Sequence, residues 1–213
     1  MPERKIQRQR TARRTKTTQR VGPRTSRSEL SRQRIIDAVI TLIFRGQPRF
    51  GAVDVAKEAQ IGLRTVFNHF DDMDSLYREM DAQVHQKLLL PIILRPFETT
   101  EWRDQVMEAA VRRAEVYEAG FPAAKFARSM QVQSIALREA AERGRALERS
   151  AVEAIIPKDL AGREPLVIAL DAAFGFDNWA HLRDDAGLSA EEALSSLEYT
   201  ARALLQQHDA LHP

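Results

Sequence analysis

FGAVDVAKEAQIGLRTVFNHF, residues 50–70, decides how this chain is read. Its spacing predicts two short helices, about 53–60 and 63–69, around a tight turn. Val53, Ala56 and Ala59 recur at i, i+3 and i+6, an apolar stripe for the first helix. Ile61-Gly62 is the expected turn, because glycine accepts backbone angles that other residues resist. Leu63, Val66, Phe67 and Phe70 follow at i, i+3, i+4 and i+7, which predicts a buried face. Arg64, Thr65, Asn68 and His69 then point outward. A helix-turn-helix uses such a second helix to carry polar side chains into the DNA major groove.

Within that stretch, VAKEAQIGLRTVFNHF resembles the DNA-binding signature of the TetR family of transcriptional regulators. The family pattern is an apolar-Ala pair, Ala-Gly-Val-Ser, two variable residues, Thr-Leu-Tyr, one variable residue and His-Phe. Val55-Ala56, Ala59, Ile61, Thr65, Val66 and His69-Phe70 match it. Gln60 replaces the turn glycine, Gly62 the serine and Phe67 the tyrosine, so the turn glycine is expected to have moved to position 62. Phe67 lacks the hydroxyl that reaches a phosphate in the family. Asp71-Asp72-Met73 stand where a lysine is usual. The resemblance spans about residues 30–80, and beyond them only the helical layout is similar.

Charge is distributed unevenly. Residues 1–28 carry ten Lys/Arg and one acid, so a chain of net charge +2 divides into +9 at its start and −7 over the rest. Residues 1–27 have no apolar period and are expected to form a disordered basic arm. Arg20, Arg24 and Arg27 lie nearest the motif and are candidates to follow the DNA backbone or the minor groove. The bland alternative is a solubilising tail. Hydrophobic residues make up 44% of the 213, enough for a real core, and the chain has no cysteine, which excludes disulfides and thiolate metal sites. No apolar run is long enough to span a membrane, no secretory signal is visible, and a cytoplasmic, nucleoid-associated location is expected.

The fold class expected is all-α. Ser28 is expected to cap a first helix over 28–45, with Ile36, Val39, Ile40, Ile43 and Phe44 buried. With the two short helices it makes a three-helix DNA-binding domain, residues 28–73. Asp74 is expected to cap a helix from 74 to about 90, with Leu76, Met80, Val84 and Leu88 buried. Further helices are expected at about 99–119, 122–131, 133–156, 163–186 and 189–209, punctuated by Gly120, Pro122, Pro157 and Gly187. Ser189 and Glu192 form a capping box for the last. About nine helices result, with residues 74–213 as the body. The resemblance implies that the last two helices pair with those of a second copy as a two-fold homodimer, and that the body holds a small-molecule effector.

Catalytic signatures are missing: there is no HExxH, GxSxG, P-loop or GxGxxG, so no enzyme and no cofactor is expected. His208 and His212 stand at i, i+4, a spacing that can ligate a metal, yet only Asp209 accompanies them and no metal site is assigned. For DNA, Arg64 suits guanine and Asn68 adenine; Thr65 suits a phosphate or a thymine methyl, and His69 a phosphate. Phe67, Gly62, Lys57 and Arg49 complete the candidate surface, and Arg32 and Arg34 are placed to approach the backbone from the first helix. The resemblance points to Met107, Tyr117, Phe126, Met130, Phe174 and Trp179 as candidate ligand lining, with Arg113, Asp171 and Asn178 as polar handles. Plain core is the competing assignment for each.

The function expected is sequence-specific binding of a palindromic double-stranded operator by a ligand-responsive repressor. The alternatives are a nonspecific or architectural nucleic-acid binder, a partner-binding adaptor with a degenerate helix-turn-helix, and, with least support, an enzyme on a helical bundle.

Overall fold

The computed structural model describes residues 26–212, and among them there is no strand. The first four helices are α1 (Arg27–Phe44), α2 (Ala52–Glu58), α3 (Leu63–His69) and α4 (Met73–Val84). A π-helical segment, His85–Leu89, joins α4 to the single turn α5 (Leu90–Ile93). Then come α6 (Trp102–Met130), α7 (Ile135–Ile155), α8 (Arg163–Phe174) and α9 (Phe176–Ala180). A second π-helical segment, His181–Asp185, leads to α10 (Ala190–Leu211). No helix among the described residues is long and apolar enough to cross a membrane.

Two hydrophobic clusters hold these helices. The first gathers the buried faces of α1 to α4 and closes on Phe126 of α6 and Leu137 of α7. Phe50, Tyr77 and Phe126 form an aromatic knot in it, with Phe50 and Phe126 stacked at 5.1 Å. The second gathers the N-terminal part of α6, the end of α7, and α8, α9 and α10 around Trp179. The expected division at residues 73/74 falls at the start of α4, whose buried face belongs to the first cluster.

Several boundaries differ from expectation, each for a local reason. Ser26, not Ser28, caps α1: its side chain accepts from the Glu29 N–H and Glu29 returns the bond. Residues 26 and 27 therefore open the helix, and the remainder of the expected arm, Arg20 and Arg24 included, lies outside the described residues. The buried stripe of α1 is Ile35, Ile36, Val39, Leu42 and Ile43, while Phe44 is exposed. Asp72, paired with Ser75, caps α4. Asp74 is thereby free to cap a different helix: it accepts from the Ser134 hydroxyl at 2.5 Å and the Ile135 N–H at 3.1 Å, at the start of α7. Leu88 lies exposed in the π-helical segment.

The two helices expected at 99–119 and 122–131 are one, with Pro122 inside α6. An interior proline costs about 3 kcal/mol. Burying Tyr117 in the second cluster and Phe126 in the first, with their neighbours, outweighs it at about 1.5–3 kcal/mol per large apolar side chain. The helix expected at 163–186 instead breaks at Gly175, which is extended at φ −68°, ψ 150°. Side chains take up the carbonyls that continued helix would have used: Asn178 Nδ2 donates to Ala173 O, and Tyr117 Oη lies 2.9 Å from Phe174 O. Ser189 and Glu192 form the expected capping box on α10.

Candidate nucleic-acid interface and an internal cavity

A four-residue connection, Ala59 to Gly62, joins α2 to α3. The left-handed residue in it is Gln60, at φ +54°. Gly62 has an ordinary φ of −71° and caps α3, its carbonyl accepting from the Thr65 N–H at 2.8 Å. The turn glycine has therefore not moved. Gln60 adopts the strained conformation where it stands, and Gly62 serves as a cap.

α3 is held by Val66 and Phe70, at 2% and 3% exposure. Leu63 and Phe67, expected to be buried, are exposed at 39% and 51%. At about 100° per residue, Phe67 sits well round the helix from Val66, and a helix of two turns buries only a narrow row. Arg64, Phe67 and Asn68 therefore form the outer face, flanked by the half-buried Thr65 and His69. On α2 the buried set is Val55, Ala56 and Ala59, while Val53 is 66% exposed. Lys57 is exposed there, as is Arg49 in the loop before α2 and Arg27 at the start of α1.

Arg32 and Arg34 do not face outward as free cations. Arg32 Nη1 donates to the His69 carbonyl at 2.6 Å, its guanidinium lies 4.3 Å from the Phe70 ring centroid, and it pairs with Glu79 of α4. Arg34 Nη2 donates to the Ala59 carbonyl at 2.7 Å. Two arginines of α1 thus grip the C-terminal carbonyls of α3 and α2, where the helix dipole favours positive charge. They position the outer face of α3 rather than belong to it. Sequence spacing carries no sign of this, because the partners lie 37 and 25 residues away.

The body contains a cavity of about 440 Å³ between α4, α6, α7 and the α8–α9 break. Of the expected lining residues only Tyr117 borders it, and of the polar handles only Asp171. Phe174 and Trp179 are fully packed in the second cluster, with Trp179 Nε1 donating to Glu118 at 3.0 Å. Met107 packs against the same cluster, and Phe126 and Met130 belong to the first. Arg113 is spent on Glu148, and Asn178 on Ala173 O. Large side chains fill space; the cavity survives where side chains are small. Gly120, Ala123, Ala124 and Ala127 line it at i, i+3, i+4 and i+7 of α6, facing Ala140, Ala141 and Gly144 of α7. That small-residue period was the signal available in the sequence.

The Tyr117 hydroxyl lies 2.9 Å from Glu148 Oε1 as well as from Phe174 O, and burial pushes its pKa well above the ordinary range. Tyr77, in the first cluster, is likewise pushed up to about 12 by burial and by the Asp74 charge. Both are neutral hydroxyls at physiological pH. His208 is 6% exposed with Nε2 unbonded, and its ring lies 5.0 Å from that of His212. Among the described residues no three His, Asp or Glu side chains converge as metal ligands.

No family model, no curated protein and no solved structure matches this chain, so the assignment of function rests on the residues themselves.

Proposed function

We propose that the protein is a sequence-specific DNA-binding transcriptional regulator of TetR-like design, acting as a homodimer on a palindromic operator. The observation that carries this reading is the outer face of α3. Arg64, Phe67 and Asn68 stand exposed at i, i+3 and i+4 on a short helix whose C-terminal end is held by Arg32 of α1. Arg64 and Asn68 are the side-chain types that read guanine and adenine in bidentate fashion, and Lys57 and Arg49 add charge beside them. The basic residues ahead of α1 supply phosphate attraction. Dimerisation through α8 and α10 is supported by Ile168 and Tyr199, which those helices leave 50% and 77% exposed. A ligand in the body would favour a dimer whose two α3 helices are spaced wrongly for one face of DNA, releasing it. Repression in the cytoplasm is the regulatory default of this reading.

Selection of bound sequences from random duplex DNA tests it, using the full chain and a chain lacking residues 1–25. A shared palindrome, bound more weakly by the truncated chain, is expected. Arg64→Ala should cost about 1–3 kcal/mol of binding and relax preference at one base pair per half-site. Failure of both chains to enrich any motif overturns the operator reading.

The second reading, a partner-binding adaptor, has its own observation. Val53, Leu63 and Phe67 leave apolar surface exposed on the same helices, and Asp71 and Asp72 follow directly. Exposed apolar groups rimmed by charge suit a protein partner better than a phosphate backbone. A complete absence of DNA binding favours it.

A further inference from the structure

The cavity carries charges that the fold does not use. Four acids border it, Asp81, Glu148, Asp171 and Asp177, against two cations, Arg128 and Arg145. Two of the acids are satisfied: Glu148 pairs with Arg113 at 3.1 Å, and Asp177 pairs with Arg128 at 2.6 Å. Asp81 and Asp171 make no hydrogen bond or ion pair among the described residues. Asp81 is the more unusual. It is half-buried on α4, and burial holds its carboxyl above its ordinary pKa, although His85 and Arg143 pull the other way. A carboxylate partly withdrawn from water and without an ion-pair partner attracts a cation that enters the same cavity. Asp81 has a short side chain, and α4 holds it at the cavity wall. Arg145, also unpaired, is exposed on a long flexible side chain and reaches solvent freely.

Aromatic rings complete the lining. Tyr117 and Phe176 both border the cavity, edge to face with ring centroids 5.3 Å apart. Aromatic rings pack offset or edge to face against the rings of a bound body. The alanines and glycines of α6 and α7 leave room for a body of one or two rings.

We propose that this cavity binds a small organic cation with an apolar body, its charge facing Asp81 and its rings lying against Tyr117 and Phe176. This rests on reading the body as the effector domain and names the chemical class of the effector. Neutral ligands leave Asp81 unpaired, and anions meet it as a like charge.

Three shape-matched probes test the assignment without DNA: (2-naphthylmethyl)trimethylammonium, its neutral carbon isostere 2-neopentylnaphthalene, and 2-naphthylacetate. Binding is read from naphthalene fluorescence at fixed salt. The cation should bind about tenfold tighter than the neutral isostere, and the anion most weakly. Asp81→Asn should remove that tenfold preference, change the neutral probe's affinity less than twofold, and leave the melting temperature of the ligand-free protein no lower. A neutral or anionic probe that binds wild-type protein as tightly as the cation overturns the proposal, as does an Asp81→Asn protein that keeps the preference. The wild-type comparison alone is decisive if the variant folds poorly. Because no DNA is present, failure here leaves the operator reading intact, and failure of the DNA selection leaves this one intact.

Discussion

The two hydrophobic clusters solve opposite problems. The first is closed by large side chains: Ile35, Leu76, Tyr77 and Phe126 are all buried, and Phe50 stacks over the seam. It supports α3, whose polar residues face outward. The second is built around Trp179 and Leu170, and where it meets the first a cavity stays open, walled by Met80 and Val84 of α4 and by the glycines and alanines of α6 and α7. Its chemistry faces inward. A filled core makes a rigid platform, whereas a core left short of side-chain volume makes a container. The same chain achieves both because α6 runs through the two of them. About 43 Å long at 1.5 Å per residue, it gives its C-terminal turns to the first cluster and its N-terminal turns to the second.

That contrast can be broken most strongly at Phe126. Phe126→Ala should destabilise the protein by about 3–5 kcal/mol, because it empties the aromatic knot that ties α6 to α1–α4. Urea unfolding followed by circular dichroism checks it. A loss below 1 kcal/mol would mean that the first cluster closes without α6.

Asp74 is the polar counterpart of the same tie. It stands at the start of α4 and accepts three hydrogen bonds from the start of α7, one from the buried hydroxyl of Ser134. Asp74→Ala should cost about 2 kcal/mol, the range for hydrogen bonds to a charged acceptor. Hydrogen exchange should show the loosening concentrated in the first turn of α7. Protection left unchanged there would show that water replaces the carboxylate at no cost.

Gln60→Gly sharpens the contrast from the platform side. It should raise stability by about 1 kcal/mol, since a side chain at φ +54° is strained and glycine is not. In a chain of this size the melting temperature should rise by about 2–4 °C. Affinity for DNA should hold if the turn serves only to orient α3. A drop in DNA affinity with raised stability would mean that the Gln60 side chain itself makes contact.

The smallest effect concerns the far end of the second cluster. His208 is buried on α10, and desolvation, followed by the neighbouring His212, lowers its pKa. The folded state therefore resists protonating it. Stability should be flat above about pH 6.5 and should fall as pH drops below that value, where the unfolded chain takes up the proton first. Melting temperatures between pH 5 and pH 8 read the slope, and His208→Gln should flatten it. An unchanged slope in the variant would assign acid sensitivity elsewhere.

The legibility of the two regions in the amino-acid order differed for the same physical reason. In residues 50–70 the two short helices and their outward residues Arg64 and Asn68 follow from local periodicity, and they lie where the spacing puts them. Even there Val53, Leu63 and Phe67 are exposed where the spacing predicts burial, because a helix of seven residues buries only the row its neighbours reach. The roles of Arg32 and Arg34 lay beyond any local pattern. In the body, large side chains suggest a ligand lining at Met107, Phe126, Met130, Phe174 and Trp179, whereas in the fold those side chains are packing.

An all-helical chain, the position of α1 to α3, the capping box at Ser189 and the uneven charge were all present in the order of residues, since each depends on neighbours within about four positions. Long-range packing settled the rest. It carried α6 through Pro122, broke the helix at Gly175, sent Asp74 to cap α7 and left Asp81 without a partner beside a cavity. Those outcomes depend on which side chains meet across dozens of residues and on how much volume they leave empty, and no local pattern records either quantity.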